Sequence, residues 1–363
     1  MTIGIAFLFV GGIMFFILLA IYFNIYMAKK EDYVFISLEN ISKEMNLHFR
    51  KTGLYSSSRV YGVYSDYKIS IYIKSKRPIM SYHSNDNYLC IELNCEPIKL
   101  KDFQIANETL FSKIVKDIGV EDILIGDETF DNIFNINSQF KYYIISLLNE
   151  NIRNSLLTIN GLSDSIDWNQ KRLVIYRKII GRVYEPFVYQ VIEKAINILT
   201  DVKSEKNAKK RLQKNVLDEK NIQIKKLFIN TLGKNFSLDK DSIKIFESLL
   251  QHQSIDLQIT VAQYLSKMGM TFLKNIIKEH MKREIFLNES DVLYIISIFA
   301  EKKYGDANKS LMQIYNETHN EKIKKNILQV FKNSRDQEME MFILNELSLD
   351  SDLLLEKIGV LSV

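Results

Sequence analysis

The chain has 363 residues, 47% of them hydrophobic and 25% charged, which excludes wholesale disorder and is too much for one ordinary core. Three prolines and thirteen glycines argue for long helices over many turns. The net charge of +4 is local: Asp201 to Lys226 holds nine cations against four carboxylates, which leaves the other 337 residues at −1.

Thr2 to Ala28, "TIGIAFLFVGGIMFFILLAIYFNIYMA", carries no charged residue over 27 positions. At about 1.5 Å per residue it exceeds a hydrocarbon core of roughly 30 Å, and it reads as a transmembrane anchor over residues 1–30 that contacts the lipid bilayer through 2–28. A cleaved signal peptide is the competing reading. No Lys or Arg precedes the run, it is too long, and no small-x-small site follows. Lys29 and Lys30 flank its C-terminal end, so the positive-inside rule expects a single-pass protein of the inner membrane with its body in the cytoplasm.

Next, "DYVFISLENISKEMNLHF" spaces Phe35, Leu38, Ile41 and Met45 as an amphipathic helix. "RVYGVYSDYKISIYIKS" alternates around a short "SDY" turn and reads as a β-hairpin, with "YLCIELN" as a third strand. Cys90 and Cys95 fall five strand steps apart, roughly 16 Å and on opposite faces, too far for a disulfide. They read as buried thiols. "ETLFSKIVKDIG" reads as a helix closed by Gly119. "SQFKYYIISLLNENIRNSLLTI" reads as one long helix running into a strand near Leu156, and "RLVIYRK" as a strand before a helix starting at Glu185 and Pro186. Residues 31–200 are thus expected to form an α+β domain with a small antiparallel sheet.

Within it, "VEDILIGDETFDNIF" (Val120 to Phe134) gathers acidic residues around Gly126. Asp127, Glu128 and Asp131 could ligate a hard cation, and Asp127 and Asp131 are the metal candidates. The oxygen-rich spacing of an EF-hand loop is absent, and no His lies nearby. A turn reading is preferred: Asp127 or Thr129 caps a helical turn whose one face carries Phe130 and Phe134.

The run "GDETFDNIFNINS", preceded by "VEDILI" and followed by a helix and "LLTI", resembles the "GDxxFDxxFxV" segment of an uncharacterised bacterial membrane-anchored family. Upstream, "GLYSSSRVYGVYSDYKISIYI" is similar to that family's G-x-Y-x-G hairpin, with Ser57 or Ser58 standing where a second glycine is expected. The resemblance covers about residues 1 to 200 and implies one N-terminal transmembrane segment, this domain, and HEAT-type repeats after it. It implies no activity.

Beyond residue 220, Leu232, Leu265, Phe299, Phe331 and Leu361 recur at separations of 33, 34, 32 and 30, with second amphipathic segments between them. Helix pairs at that period stack into an α-solenoid, so an all-α, HEAT-like solenoid is expected over 221–363. Residues 201–220 read as a basic helical linker. Its Lys206, Lys209, Lys210, Arg211 and Lys214 are candidates for anionic lipid or nucleic-acid contact. The segment lacks interleaved aromatics, so a solvated helix is preferred and nucleic acid is not expected as a partner.

No P-loop, G-x-G-x-x-G, G-x-S-x-G or H-E-x-x-H is present, and the five histidines are scattered. No catalytic residue, cofactor or enzymatic activity is expected. The sequence points to a membrane-anchored scaffold or adaptor that binds a protein or peptide partner through the solenoid. The alternatives are a small-ligand sensor or enzyme in the α+β domain, and a lipid or nucleic-acid tether through the linker.

Overall fold

A computed structural model describes residues 14–22, 33–52, 58–76, 86–107, 122–180, 183–237, 239–281, 287–302, 305–334 and 337–349. The chain divides into two compact units between Arg211 and Leu212.

The first unit is built on an eight-stranded antiparallel sheet: β1 (His48–Arg50), β2 (Arg59–Tyr64), β3 (Tyr67–Lys76), β4 (Asp86–Asn94), β5 (Gln104–Asn107), β6 (Phe134–Asn137), β7 (Ser165–Asn169) and β8 (Arg172–Lys178). Their spatial order is β1-β2-β3-β4-β8-β7-β5-β6. β2 and β3 are joined by Ser65 and Asp66 at φ 47° and 70°, the left-handed pair whose twist suits a tight hairpin.

Alternation sends successive side chains to opposite faces, so register decides which residues meet. One rung runs Val60, Ile71, Ile91, Ile175 and Ile166, all fully or almost fully buried. The next runs Ile69, Leu93, Leu173, Trp168, Ile105 and Ile136. Trp168 is sealed there, its ring edge-on to Phe103 at 5.2 Å. Each such side chain gains about 1.5–3 kcal/mol from leaving water.

Among the described residues, helices α1 (residues 14–22), α2 (residues 33–44), α3 (Glu128–Asp131), α4 (Lys141–Leu147), α5 (Glu150–Leu162) and α6 (Glu185–Ser204) also belong to this unit, with the first turn of α7 (Ala208–Asp218). α5 and α6 pack on each other and touch the sheet at β7 and β4. α6 buries Val188, Val191, Ile192, Ala195, Ile198, Leu199 and Val202, one continuous helical stripe.

Several expectations are corrected. Among the described residues no helix is long and apolar enough to cross a membrane. Of the stretch read as an anchor, only residues 14–22 are described. The rest of 2–28 lies outside the described residues. The transmembrane helix, the single-pass inner-membrane placement and the cytoplasmic body that depended on it are therefore withdrawn.

The sheet is not small, because four short strands (β1, β5, β6 and β7) extend the one readable from alternation. The long helix expected around Lys141–Ile159 breaks at Leu148 and Asn149, where the Asn149 side chain accepts from Ile152 N–H and starts a new helix. No strand forms at Leu156, which is buried in α5. The helix expected over 108–119 lies outside the described residues.

Among its described residues the second unit is helical throughout: α8 (Ile222–Phe236), α9 (Lys240–Leu249), α10 (Ile255–Ala262), α11 (Ser266–Met281), α12 (Glu289–Lys302), α13 (Gly305–Glu317), α14 (Glu321–Ser334) and α15 (Gln337–Leu349). α8, α10, α12 and α14 begin every 32–34 residues and pack side by side in one row. The intervening helices lie against them, with α11 touching α13. Leu232, Leu265, Phe299 and Phe331 are all buried. Leu361 lies outside the described residues.

Candidate functional site

The acidic turn is built from backbone contacts. The Asp131 carboxylate accepts from Ile125 N–H at 2.9 Å and Gly126 N–H at 2.8 Å, and Gly126 takes φ 82°, where a side chain would be strained. Asp127 caps α3 by accepting from Phe130 N–H at 3.2 Å, and Asp122 accepts from Ile136 N–H at 2.6 Å. The Arg153 Nε, buried to 3% exposure, lies 3.5 Å from Asp127 Oδ2. Burial lifts the Asp131 carboxyl above its ordinary range, against the pull of the two N–H groups, and Asp127 and Asp122 add to the lift.

These carboxylates hold the loop between Asp122 and β6. Among the described residues no group of three His, Cys, Asp or Glu side chains is placed to hold a metal ion. Phe130 and Phe134 do stack, with ring centroids 4.8 Å apart. Phe134 starts β6, however, rather than sharing a helical face with Phe130.

The basic candidates part company. Lys206, Lys210 and Lys214 are exposed and Lys209 is half-buried. Arg211 is turned inward at 7% exposure, which corrects its reading as a lipid or nucleic-acid contact. Its Nε donates to Ser146 Oγ at 3.2 Å, its Nη1 donates to the Glu205 carbonyl at 2.6 Å, and its guanidinium sits over the Tyr143 ring at 5.0 Å. A planar fork of donors suits this mixed polar and aromatic pocket. Leu212 and Val216 of the same helix are also buried, so α7 is a packed element rather than a solvated rod.

The helical unit carries the most regular polar arrangement. Lys226 Nζ donates to Asp256 Oδ1 and Oδ2 at 2.7 and 2.9 Å. Gln263 Nε2 donates to Asn230 Oδ1 at 3.0 Å and to Tyr294 Oη at 2.8 Å. Tyr264 Oη donates to Asn230 Oδ1 at 3.1 Å. Glu289 accepts from Lys322 and from Asn320 Nδ2. Each bridge spans 30–34 residues of sequence, one repeat to the next.

The result is a ladder of polar groups along the row of α8, α10, α12 and α14. Burial raises the Tyr264 and Tyr294 phenols, so both stay protonated, Tyr264 donating to Asn230 and Tyr294 accepting from Gln263. No signal from a single segment points to these residues, because they meet only when neighbouring repeats stack. The chain matches no protein-family model and no curated protein.

Proposed function

We propose that the protein is an adaptor whose all-helical unit holds a protein or peptide partner. The observation that carries this reading is the two-row stacking of helices at a constant 32–34-residue step. A stack of this kind buries each helix pair only against its neighbours and leaves extended surfaces along its length. The half-buried ladder of Lys226, Asn230, Asp256, Gln263 and Tyr294 supplies donors and acceptors at repeat spacing. An extended backbone presents N–H and C=O groups at steps of about 3.3 Å, so it can exchange hydrogen bonds with such a ladder over its length.

A crosslinked pull-down with the full chain tests this reading, using Asn230→Ala/Gln263→Ala in the ladder and Lys68→Ala on the sheet as a control. The adaptor reading expects one protein in near-stoichiometric yield from wild type and the control, and its loss from the ladder variant. Equal recovery from the ladder variant, or no partner from any form, contradicts it.

A further inference from the structure

The sheet face opposite the isoleucine rungs carries an assortment that no single strand reveals. Across one rung lie Arg50, Arg59, Tyr72, Cys90 and Tyr176. Across the next lie His48, Tyr61, Ser70, Glu92 and Val174. Alternation adds Lys68 and Lys74 from β3 and Arg172 from β8 to the same face. Arg50, Arg59, Lys68, Lys74, Arg172 and the neighbouring turn residue Lys171 are exposed.

The carboxylates facing them are fewer and partly engaged. Glu92 accepts from Tyr72 Oη at 2.9 Å and lies 3.9 Å from Arg172 Nη1. Asp167 accepts from the Gln104 side chain at 3.3 Å. Between β3, the end of β4 and the β7–β8 turn lies an open cleft of about 510 Å³, where Lys68, Lys171 and Arg172 surround Ser70, Asn94 and Asn169. Glu92 and Glu96 complete its wall. Lys68 and Lys171 make no side-chain ion pair among the described residues.

Cys90, Val174 and Tyr176 are buried at the centre of this face with Tyr72 packed against them, and Tyr61 stands exposed beside them. We infer that this face binds single-stranded nucleic acid, with backbone phosphate in the Lys68/Lys171/Arg172 cleft and a base against Tyr61. A point anion would need one cluster of cations. Here they spread from β1 to β8, four strand steps or about 19 Å, which suits a polyanion. The exposed aromatic selects the single strand. Tyr61 is 40% exposed and paired with His48 at 5.7 Å, and a base can stack on such a ring only when it is not stacked in a duplex.

Basic residues with interleaved aromatics are the pattern the linker lacks and this face has. The inference is independent of the adaptor reading, which concerns the other unit.

The test is fluorescence anisotropy of end-labelled 12-mers of oligo-U and oligo-dT with the full chain, from 50 to 200 mM salt. The expected result is micromolar binding at low salt that weakens steeply with salt. Lys68→Ala/Lys171→Ala should flatten the log–log salt slope by about 1.4, at about 0.7 per phosphate contact on a single strand. Tyr61→Ala should lower affinity about tenfold and leave the slope unchanged, because it removes stacking and no charge.

Lys206→Glu/Lys210→Glu/Lys214→Glu should leave binding as it was. Comparing the two oligomers separates RNA from DNA preference. No binding at 50 mM salt overturns the inference, as does an affinity and salt slope unchanged in Lys68→Ala/Lys171→Ala, or binding lost only in the Lys206/Lys210/Lys214 variant. So does a duplex bound as tightly as the single strand, or vesicles of phosphatidylserine and phosphatidylcholine bound in place of the oligomers.

Discussion

Gly269 sits in the first turns of α11, where that helix turns back beside the end of α10. An added Cβ would lie 1.8 Å from the Ala262 carbonyl oxygen and 2.7 Å from its carbon, whereas ordinary contact begins at 3.4 Å. The clash is with backbone, so no rotamer change relieves it, and Gly269→Ala must push α10 and α11 apart by about 1.5 Å. Overpacking of this kind costs about 1–3 kcal/mol or more, while Gly→Ala in a helix returns about 1 kcal/mol. The net expectation is a loss of about 2 kcal/mol.

For a unit of this size that lowers its melting temperature by roughly 4–8 °C. Calorimetry of the full chain reads the shift, and hydrogen exchange in α10 and α11 locates it. Gly161→Ala in α5 is the control, because nothing lies within 4 Å of its added Cβ; it should be neutral or stabilising by up to about 1 kcal/mol. An unchanged or raised transition in Gly269→Ala would refute the close approach of the two helices, and with it the packing inside the repeat.

Asp127→Ala removes the α3 cap and a buried arginine's neighbour, and should cost about 1–3 kcal/mol in urea unfolding. Asp127→Asn keeps the capping oxygen and should cost less; equal losses would discount the cap. Asp131 titrates with an unusual sign. Its folded carboxyl holds a proton more tightly than the ordinary 3.8, so its contribution to stability falls as pH rises from there through the raised native value, and is level beyond. Asp131→Asn should abolish that slope in unfolding curves between pH 3 and 7, and an unchanged slope would reject the assignment. Burial pushes the Cys95 thiol up to about 12, so iodoacetamide at pH 8 should label Cys95 only on unfolding; native labelling at the rate of an exposed thiol would contradict its burial.

The sequence yields what local period and turn chemistry control. In β3 the alternation of Ile69, Ile71 and Ile73 reports a buried face directly, and the 33-residue recurrence of Leu232 and Leu265 reports stacked helices because each repeat solves the same burial problem. β1, β5, β6 and β7 are 3–5 residues long, too short to show a period. They exist because of partners far away: β5 pairs with both β6 and β7.

Apolar length fixes how far a helix could reach; of the N-terminal run only residues 14–22 are described, and no membrane-spanning helix is among the described residues. Arg211 does mislead. In a run of cations its charge reads as solvent-facing, yet Ser146 and Tyr143, more than sixty residues earlier, supply the pocket that takes it. The polar ladder and the charged sheet face were unreadable altogether, because both are made by register between separate segments.

The adaptor reading stands or falls on where a partner is held. The most direct measurement is hydrogen exchange of the full chain with and without the protein recovered by crosslinking. New protection should appear in α8, α10, α12 and α14 and centre on the segments holding Asn230, Gln263 and Tyr294. Protection confined to residues 48–180, with the helical rows exchanging as in the free chain, would contradict it.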